Sequence, residues 1–205
     1  MRRREIISAK KLQIILVLSV FVAFSGCTAS RLTKRKQAGI RFVTISPEVS
    51  MPGKMEYFKD DLTPGSSSGL LGALMAIDDV MRKNKIDVGH MVVDEFRAQL
   101  AAKRVFPSIV NFGGDAEFSF KIHFYGLRFR PFVEEEHLGA VLKVTVYLKK
   151  ANDKLVWKAT AYCSPERTDA YLWRMYMTDP QRLRRVFEQA ARVVVSDLLK
   201  NIETE

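Results

Sequence analysis

The chain has 205 residues, 47% of them apolar in type, with 33 Lys and Arg against 23 Asp and Glu and only two cysteines. That length suits one ordinary domain rather than two, the apolar share excludes a disordered chain, and two thiols exclude a disulfide framework. The formal charge of +10 would suit nucleic acid, an expectation that the amino terminus removes.

Arg2, Arg3, Arg4, Lys10 and Lys11 precede an uncharged run from Leu12 to Phe24, and Ser25 and Gly26 then lead to Cys27. Basic, apolar, small is the order of a secretory signal. The run of 13 residues is shorter than the roughly 17 to 25 a spanning helix needs. Small residues let the chain enter a peptidase in extended form, and the thiol of Cys27 is the side chain here that can be alkylated. Ser25, Gly26 and Cys27 resemble the lipobox of bacterial lipoproteins, with Phe24 where that family usually has Leu. The resemblance implies a diacylglycerol thioether on Cys27, cleavage before it, and acylation (palmitate among the chains) of the freed amine. Thr28, rather than Asp, after the cysteine implies forwarding to the outer membrane, facing the periplasm, in a two-membrane bacterium. Two or more acyl chains hold a protein on a bilayer where one binds marginally.

The expected organisation is therefore a signal at residues 1–26, a basic tether at 27–39 and a single α+β domain at 40–205. The signal carries five Lys or Arg and one Glu, so the formal charge falls from +10 to +6 in the mature chain. Export turns the expected partner from nucleic acid to an anionic membrane surface, the cell wall or an acidic protein. Cys163 has no intrachain partner once Cys27 is lipidated, and the alternation around it predicts a buried, inert thiol.

Arg31, Lys34, Arg35 and Lys36, with little apolar content around them, predict a solvated tether near headgroups. Ile40 to Ile45 predicts a first strand, ended by Pro47, Pro52 and Gly53. Residues 57–85 form an insertion: a Gly/Ser stretch, Thr63 to Gly69, then apolar positions 70, 74, 77 and 81 at helical spacing. Asp87 caps a helix whose apolar face is Val88, Met91, Val92, Phe96 and Leu100, stopping before Pro107. Residues 108–112 predict a short strand and Gly113-Gly114-Asp115 a turn.

Three long strands follow. Phe118, Phe120, Ile122 and Phe124 are expected on one face, with Ser119, Lys121, His123 and Tyr125 on the other. Ala140, Leu142, Val144, Val146 and Leu148 alternate with Lys143, Thr145, Tyr147 and Lys149. After a turn at 151–153, Leu155, Trp157, Ala159, Ala161 and Cys163 alternate with Lys158, Thr160 and Tyr162. Residues 164–178 have no clean period. Asp179 and Pro180 start a last helix with the face Leu183, Val186, Phe187, Ala190, Ala191, Val194 and Leu198. The sum is a two-layer α+β domain, a mainly antiparallel sheet with two long helices on one face. With Lys154-Leu155-Val156-Trp157-Lys158 after a polar turn, this order resembles the amino-terminal domain of TolB and the modules of curli-secretion-type and ABC-transport auxiliary lipoproteins, which implies a fold more than an activity.

No metal, cofactor or catalytic residue is expected. His90, His123 and His137 lack the two-His helix spacing of a metalloprotease, Glu134-Glu135-Glu136 reads as a solvated turn, and neither a nucleophile elbow nor a phosphate-binding glycine pattern occurs. Tyr171, Trp173 and Tyr176 are the candidate partner-binding residues, because such rings supply contact area with a polar handle. The expected function is a lipid-anchored, non-enzymatic envelope protein, an interaction or auxiliary subunit of a transport, secretion or assembly machine. Two others stand beside it: a periplasmic small-ligand carrier or enzyme with a pocket between helices and sheet, and an oligomer subunit inserting residues 66–83 into the membrane. The pattern names no oligomeric state.

Overall fold

The computed structural model describes residues 30–55, 76–130 and 137–204. The signal, Cys27, residues 56–75 of the insertion and Glu134 to Glu136 lie outside the described residues. In chain order the elements are α1 (Lys34–Gln37), β1 (Phe42–Ser50), α2 (Val88–Lys103), β2 (Ser108–Val110), β3 (Ala116–Phe129), β4 (His137–Lys150), β5 (Leu155–Cys163), β6 (Ala170–Leu172), α3 (Trp173–Thr178) and α4 (Pro180–Leu199). Residues 76–83 are also helical. The strands form one mixed sheet in the order β2-β1-β3-β4-β5, with β6 on β4. The long meander β3-β4-β5 is antiparallel, whereas β1 runs parallel to both β2 and β3.

Both long helices start as the sequence implies. Asp87 accepts the backbone N–H of His90 at 3.0 Å, and Asp179 accepts that of Gln181 at 3.1 Å with Pro180 in the first turn, so each carboxylate satisfies a donor that a helix start leaves orphaned. α2 lies against β1 and β3, α4 against β4 and β5, and the two touch each other, so they cover the same face. Val92, Phe96 and Leu100 of α2 and Leu183, Val186, Phe187, Val194 and Leu198 of α4 are all buried there. Opposite them lie Phe118, Phe120 and Ile122, Leu142, Val144, Val146 and Leu148, and Trp157, Ala159, Ala161 and Cys163. The rings meet edge to face, Phe96 at 5.0 Å from Phe118 and 5.1 Å from Phe120, Phe118 at 6.2 Å from Trp157, the arrangement the ring quadrupole favours.

Four local features depart from the sequence pattern. The register of β3 against β4 shifts between Ile122 and Phe124, a bulge that reverses the alternation beyond it. Tyr125 and Leu127 are consequently buried, while Phe124 pairs with Lys143 on the opposite face. A second shift at Leu148/Lys149 leaves Leu155 51% exposed rather than inward. Pro47 does not end the first strand: β1 runs to Ser50 with an irregularity between Ile45 and Val49, where a residue without an N–H breaks no regular ladder bond. In the insertion, Ile77 and Met81 are buried in the core, as their helical spacing predicts. No described helix is long and apolar enough to cross a membrane.

The fourth departure is at the amino terminus. Leu32 is fully buried and bridges Ile202, with Leu32 N–H donating to Asn201 O at 2.8 Å and Glu203 N–H to Leu32 O at 3.1 Å. Gln37 Nε2 donates to Leu32 O and Glu203 O. Residues 30–39 are thus fastened to the carboxyl-terminal end of α4 rather than free in solvent. One apolar side chain at position 32 carries that difference.

Candidate functional site

The sheet has a second face. In the middle of the meander the rows across it are Ser119, Tyr147 and Lys158, then Lys121, Thr145 and Thr160, then Phe124, Lys143 and Tyr162. Among the described residues no helix packs on this stretch. Alternation puts these side chains opposite the core, and what they form is a connected surface. Lys143 Nζ stands 6.0 Å from the Phe124 ring centroid and Lys158 Nζ 5.5 Å from that of Tyr147, while Phe124 and Tyr162 meet edge to face at 5.9 Å. Each lysine is held over a ring, which attracts it modestly and fixes where its charge sits.

At the centre is a chain of polar groups. His123 Nε2 lies 2.7 Å from Thr145 Oγ1, and Thr145 Oγ1 lies 2.7 Å from Thr160 Oγ1. His123 sits at the bulge, so its ring is laid across the neighbouring strand. Its imidazole is pushed below its usual value by burial and then by Lys121, Lys143 and Lys158, so near neutral pH it is uncharged among cations. The surface therefore carries Lys121 and the two ring-held lysines, Lys143 and Lys158, around a neutral hydrogen-bonding centre, with Tyr147, Tyr162 and Phe124 between them. Burial raises the Tyr162 hydroxyl above its ordinary value, against the opposing effect of the Arg128 guanidinium that donates to it.

The two ends of this face differ. At one, a shallow groove of about 520 Å³ runs past Thr44, Phe112, Glu117, Ser119 and Lys149, and Phe112 is 85% exposed beside it. Asp115 shapes this end by accepting the N–H groups of Arg41 at 2.8 Å and Phe42 at 3.0 Å, and Gly114 lies so close to Thr44 that a Cβ there would clash. At the other end, residues 164–168 fold over the sheet. A Cβ on Gly139 would run into the carbonyl of Pro165, so only glycine admits that crossing. Thr168, buried, accepts the N–H of Ala140 at 3.0 Å, and Arg130 donates to Glu166 O and Thr168 O.

The candidates read from sequence separate in space. Tyr176 is fully buried and donates its hydroxyl to Leu138 O, with burial pushing that phenol far up, so it anchors α3 to β4 and presents nothing to a partner. Tyr171 packs on it edge to face at 5.8 Å, carries Arg182 at 4.9 Å over its ring and reaches Asp169. Trp173 is partly buried against the core. Only Tyr171 and Trp173 thus reach solvent, both in part. Cys163 is buried, and burial pushes its thiol up to about 11, leaving it protonated and slow as a nucleophile. Cys27 lies outside the described residues. Among the described residues no group of His, Cys, Asp and Glu is placed to hold a metal ion. The open-face cluster of Lys121, His123, Lys143, Lys158 and Tyr162 was not singled out by sequence reasoning, although its signal was present: three lysines on the polar alternate of adjacent strands.

No family model matches the chain, and no curated protein matches it. Among solved structures the chain is similar to a PelC dodecamer from Paraburkholderia phytofirmans (14% identity, TM-score 0.42, covering 87% of this chain and 98% of that one). It is also similar to a Xanthomonas campestris protein of DUF330 (13%, TM-score 0.39, 78% and 81%) and to a minor lipoprotein from Acinetobacter baumannii (11%, TM-score 0.32, 79% and 94%). All three likenesses lie below a TM-score of 0.5, and what those proteins assemble into or are named for belongs to them.

Proposed function

We propose that the chain is a lipid-anchored, non-enzymatic protein of the bacterial envelope, held by acyl chains on Cys27, that uses the open face of its sheet to bind an acidic partner. The observation that carries the reading is that face: Lys143 and Lys158 each held over a ring, with Lys121 beside them, around a neutral His-Thr-Thr centre, opposite a face filled by helices. Its cations fit an anionic surface and its rings supply apolar contact, while the His123-Thr145-Thr160 chain, with Thr145 itself buried, braces the strands that carry them. Fixed charges of this kind speed encounter and set specificity more than they add affinity. The basic, apolar, small order ending at Cys27 supplies the location and the anchor. An auxiliary subunit of an envelope machine is the role that fits both.

Photo-crosslinking groups at Ser119 and Thr160 on the open face, and at Glu188 on the outer side of α4, test this in cells. The first two are expected to capture an envelope component and the third is not. Charge reversal at Lys121, Lys143 and Lys158 together is expected to abolish capture without loss of the folded domain, read by circular dichroism. Equal capture from both sides, or capture indifferent to charge reversal, would refute the face as the binding surface. Mass spectrometry of the amino-terminal peptide tests the anchor separately.

A further inference from the structure

The basic segment after Cys27 is part of the folded body, and that fixes how the body meets a membrane. Between residues 30 and 39 lie Arg31, Lys34, Arg35 and Lys36 and no acidic residue, all four exposed. Their backbone is held by the buried Leu32, by the bridge to Ile202 and by Lys34 N–H donating to Glu203 Oε2 at 3.0 Å. Ser30 Oγ donates to Lys158 O at 3.3 Å, so the described chain begins beside β5. The acidic groups at this end already have partners: Glu203 faces Arg31 at 3.7 Å, and Asp197 is bound by Arg167 and by Lys200 at 2.7 Å.

From Ser30 back to Cys27 there are three residue steps, which span at most about 11 Å when fully extended. A lipid on Cys27 therefore brings Ser30 to about that distance from the headgroups, close to the Debye length of roughly 8 to 10 Å over which surface charge is felt. The opposite end of the domain, where Arg184 reaches Asn84 O and Lys85 O, lies some 22 Å away along α4 at about 1.5 Å per residue. We infer that Arg31, Lys34, Arg35 and Lys36 form a headgroup-docking corner that seats the domain in one orientation on an anionic leaflet. This rests on the lipidation read at Cys27. The occupant of the corner is an anionic phospholipid surface, selected by four like charges on a short docked segment and by a tether too short to let the domain turn over.

The test uses the full lipidated protein in vesicles. With Cys27 acylated and Cys163 buried, a single new cysteine accepts a fluorophore, placed in one variant at the exposed Ala38 beside the corner and in another at the exposed Lys83 at the far end. In vesicles of phosphatidylglycerol and phosphatidylcholine, headgroup-bound quencher is expected to quench Ala38→Cys severalfold more than Lys83→Cys. Replacing Arg31, Lys34, Arg35 and Lys36 by Gln, or using phosphatidylcholine alone, is expected to shrink that ratio while the protein stays in the vesicles. Equal quenching at both positions in a chain whose lipid is confirmed by mass overturns the orientation and leaves the anchor standing. A ratio unchanged by the four Gln substitutions overturns the role of the charges. An unmodified Cys27 overturns the anchor, and the seating falls with it.

Discussion

The two faces of the one sheet are written in alternate residues of the same strands, yet they are held to different standards. On the inner face a ring such as Phe118 is in contact with Phe96, Phe106 and Trp157 at centroid distances of 5.0, 5.8 and 6.2 Å, so volume is what is constrained. On the outer face Ser119, the next residue, meets Tyr147 across the ladder and water beyond, so charge and hydrogen-bonding type are constrained and volume is not. The inner face explains why the domain folds. The outer face contributes little to that packing, which is why it is the surface proposed for binding.

The sharpest way to break this distinction is to change neighbours in the chain. Phe118→Ala removes a ring from a packed site and is expected to cost about 3 to 5 kcal/mol in denaturant unfolding. Ser119→Ala is expected to stay within about 0.5 kcal/mol. Similar costs for the two would mean that the outer face is as packed as the inner one, and the open-face reading would fail. In the crosslinking assay, by contrast, charge reversal at Lys121, Lys143 and Lys158 is expected to decide capture.

The covered end of the outer face gives the next largest effect. Gly139→Ala sets a Cβ against the backbone of Pro165, which has no flexible end to give way, so a cost of about 1 to 3 kcal/mol is expected, with faster proteolysis within residues 164–168. A melting temperature equal to that of the parent would show that this segment is not fastened there. Tyr176→Phe, which leaves the Leu138 carbonyl without its partner, is expected to cost about 1 kcal/mol or somewhat more. Tyr171→Phe loses only an exposed contact to Asp169 at 3.3 Å and is expected to change stability by less than about 0.5 kcal/mol.

Much of the inner face was legible because alternation and helical spacing answer directly to burial: Leu142 to Leu148, Trp157 to Cys163 and the α4 face fall where the pattern puts them. The two-layer α+β class follows from them. The bulge at His123 was not legible, because inserting one residue changes phase without changing composition, and Phe124 and Tyr125 are both acceptable on either side. Nor was the parallel pairing of β1, since parallel and antiparallel neighbours present the same side chains. Leu32 was hidden inside a basic stretch, where one apolar residue does not alter a charge count but does decide whether the stretch docks. The lysines of the open face were read one strand at a time as solvated, and only the register of three strands brings them around His123. The open-face cluster belongs to tertiary structure, whereas aromatic content alone points to Tyr171, Trp173 and Tyr176, of which Tyr176 is buried.

The smallest effect tests the electrostatics of that centre. Burial, then Lys121, Lys143 and Lys158, hold the His123 imidazole below its ordinary value of 6.5 in the folded state. The unfolded chain therefore takes up the proton first as pH falls, and stability contributed by neutral His123 is full above about pH 7 and is lost as pH drops through 6.5 toward the lower folded value. Carboxylates with depressed values, Asp115 through the N–H groups of Phe42 and Arg41 and Asp197 through Arg167, lose their contribution only as pH falls through the ordinary carboxylate range and below. The two windows are separate. A shallow fall in melting temperature between pH 7 and 5 is expected in the parent and a flatter profile in His123→Gln. Replacing Lys143 and Lys158 by Gln should restore part of the flatness without touching the histidine, because the cations oppose its charging. A profile unchanged by all three substitutions would mean that His123 is hydrated and that the face lacks the crowded positive character that the proposed recognition of an acidic partner requires.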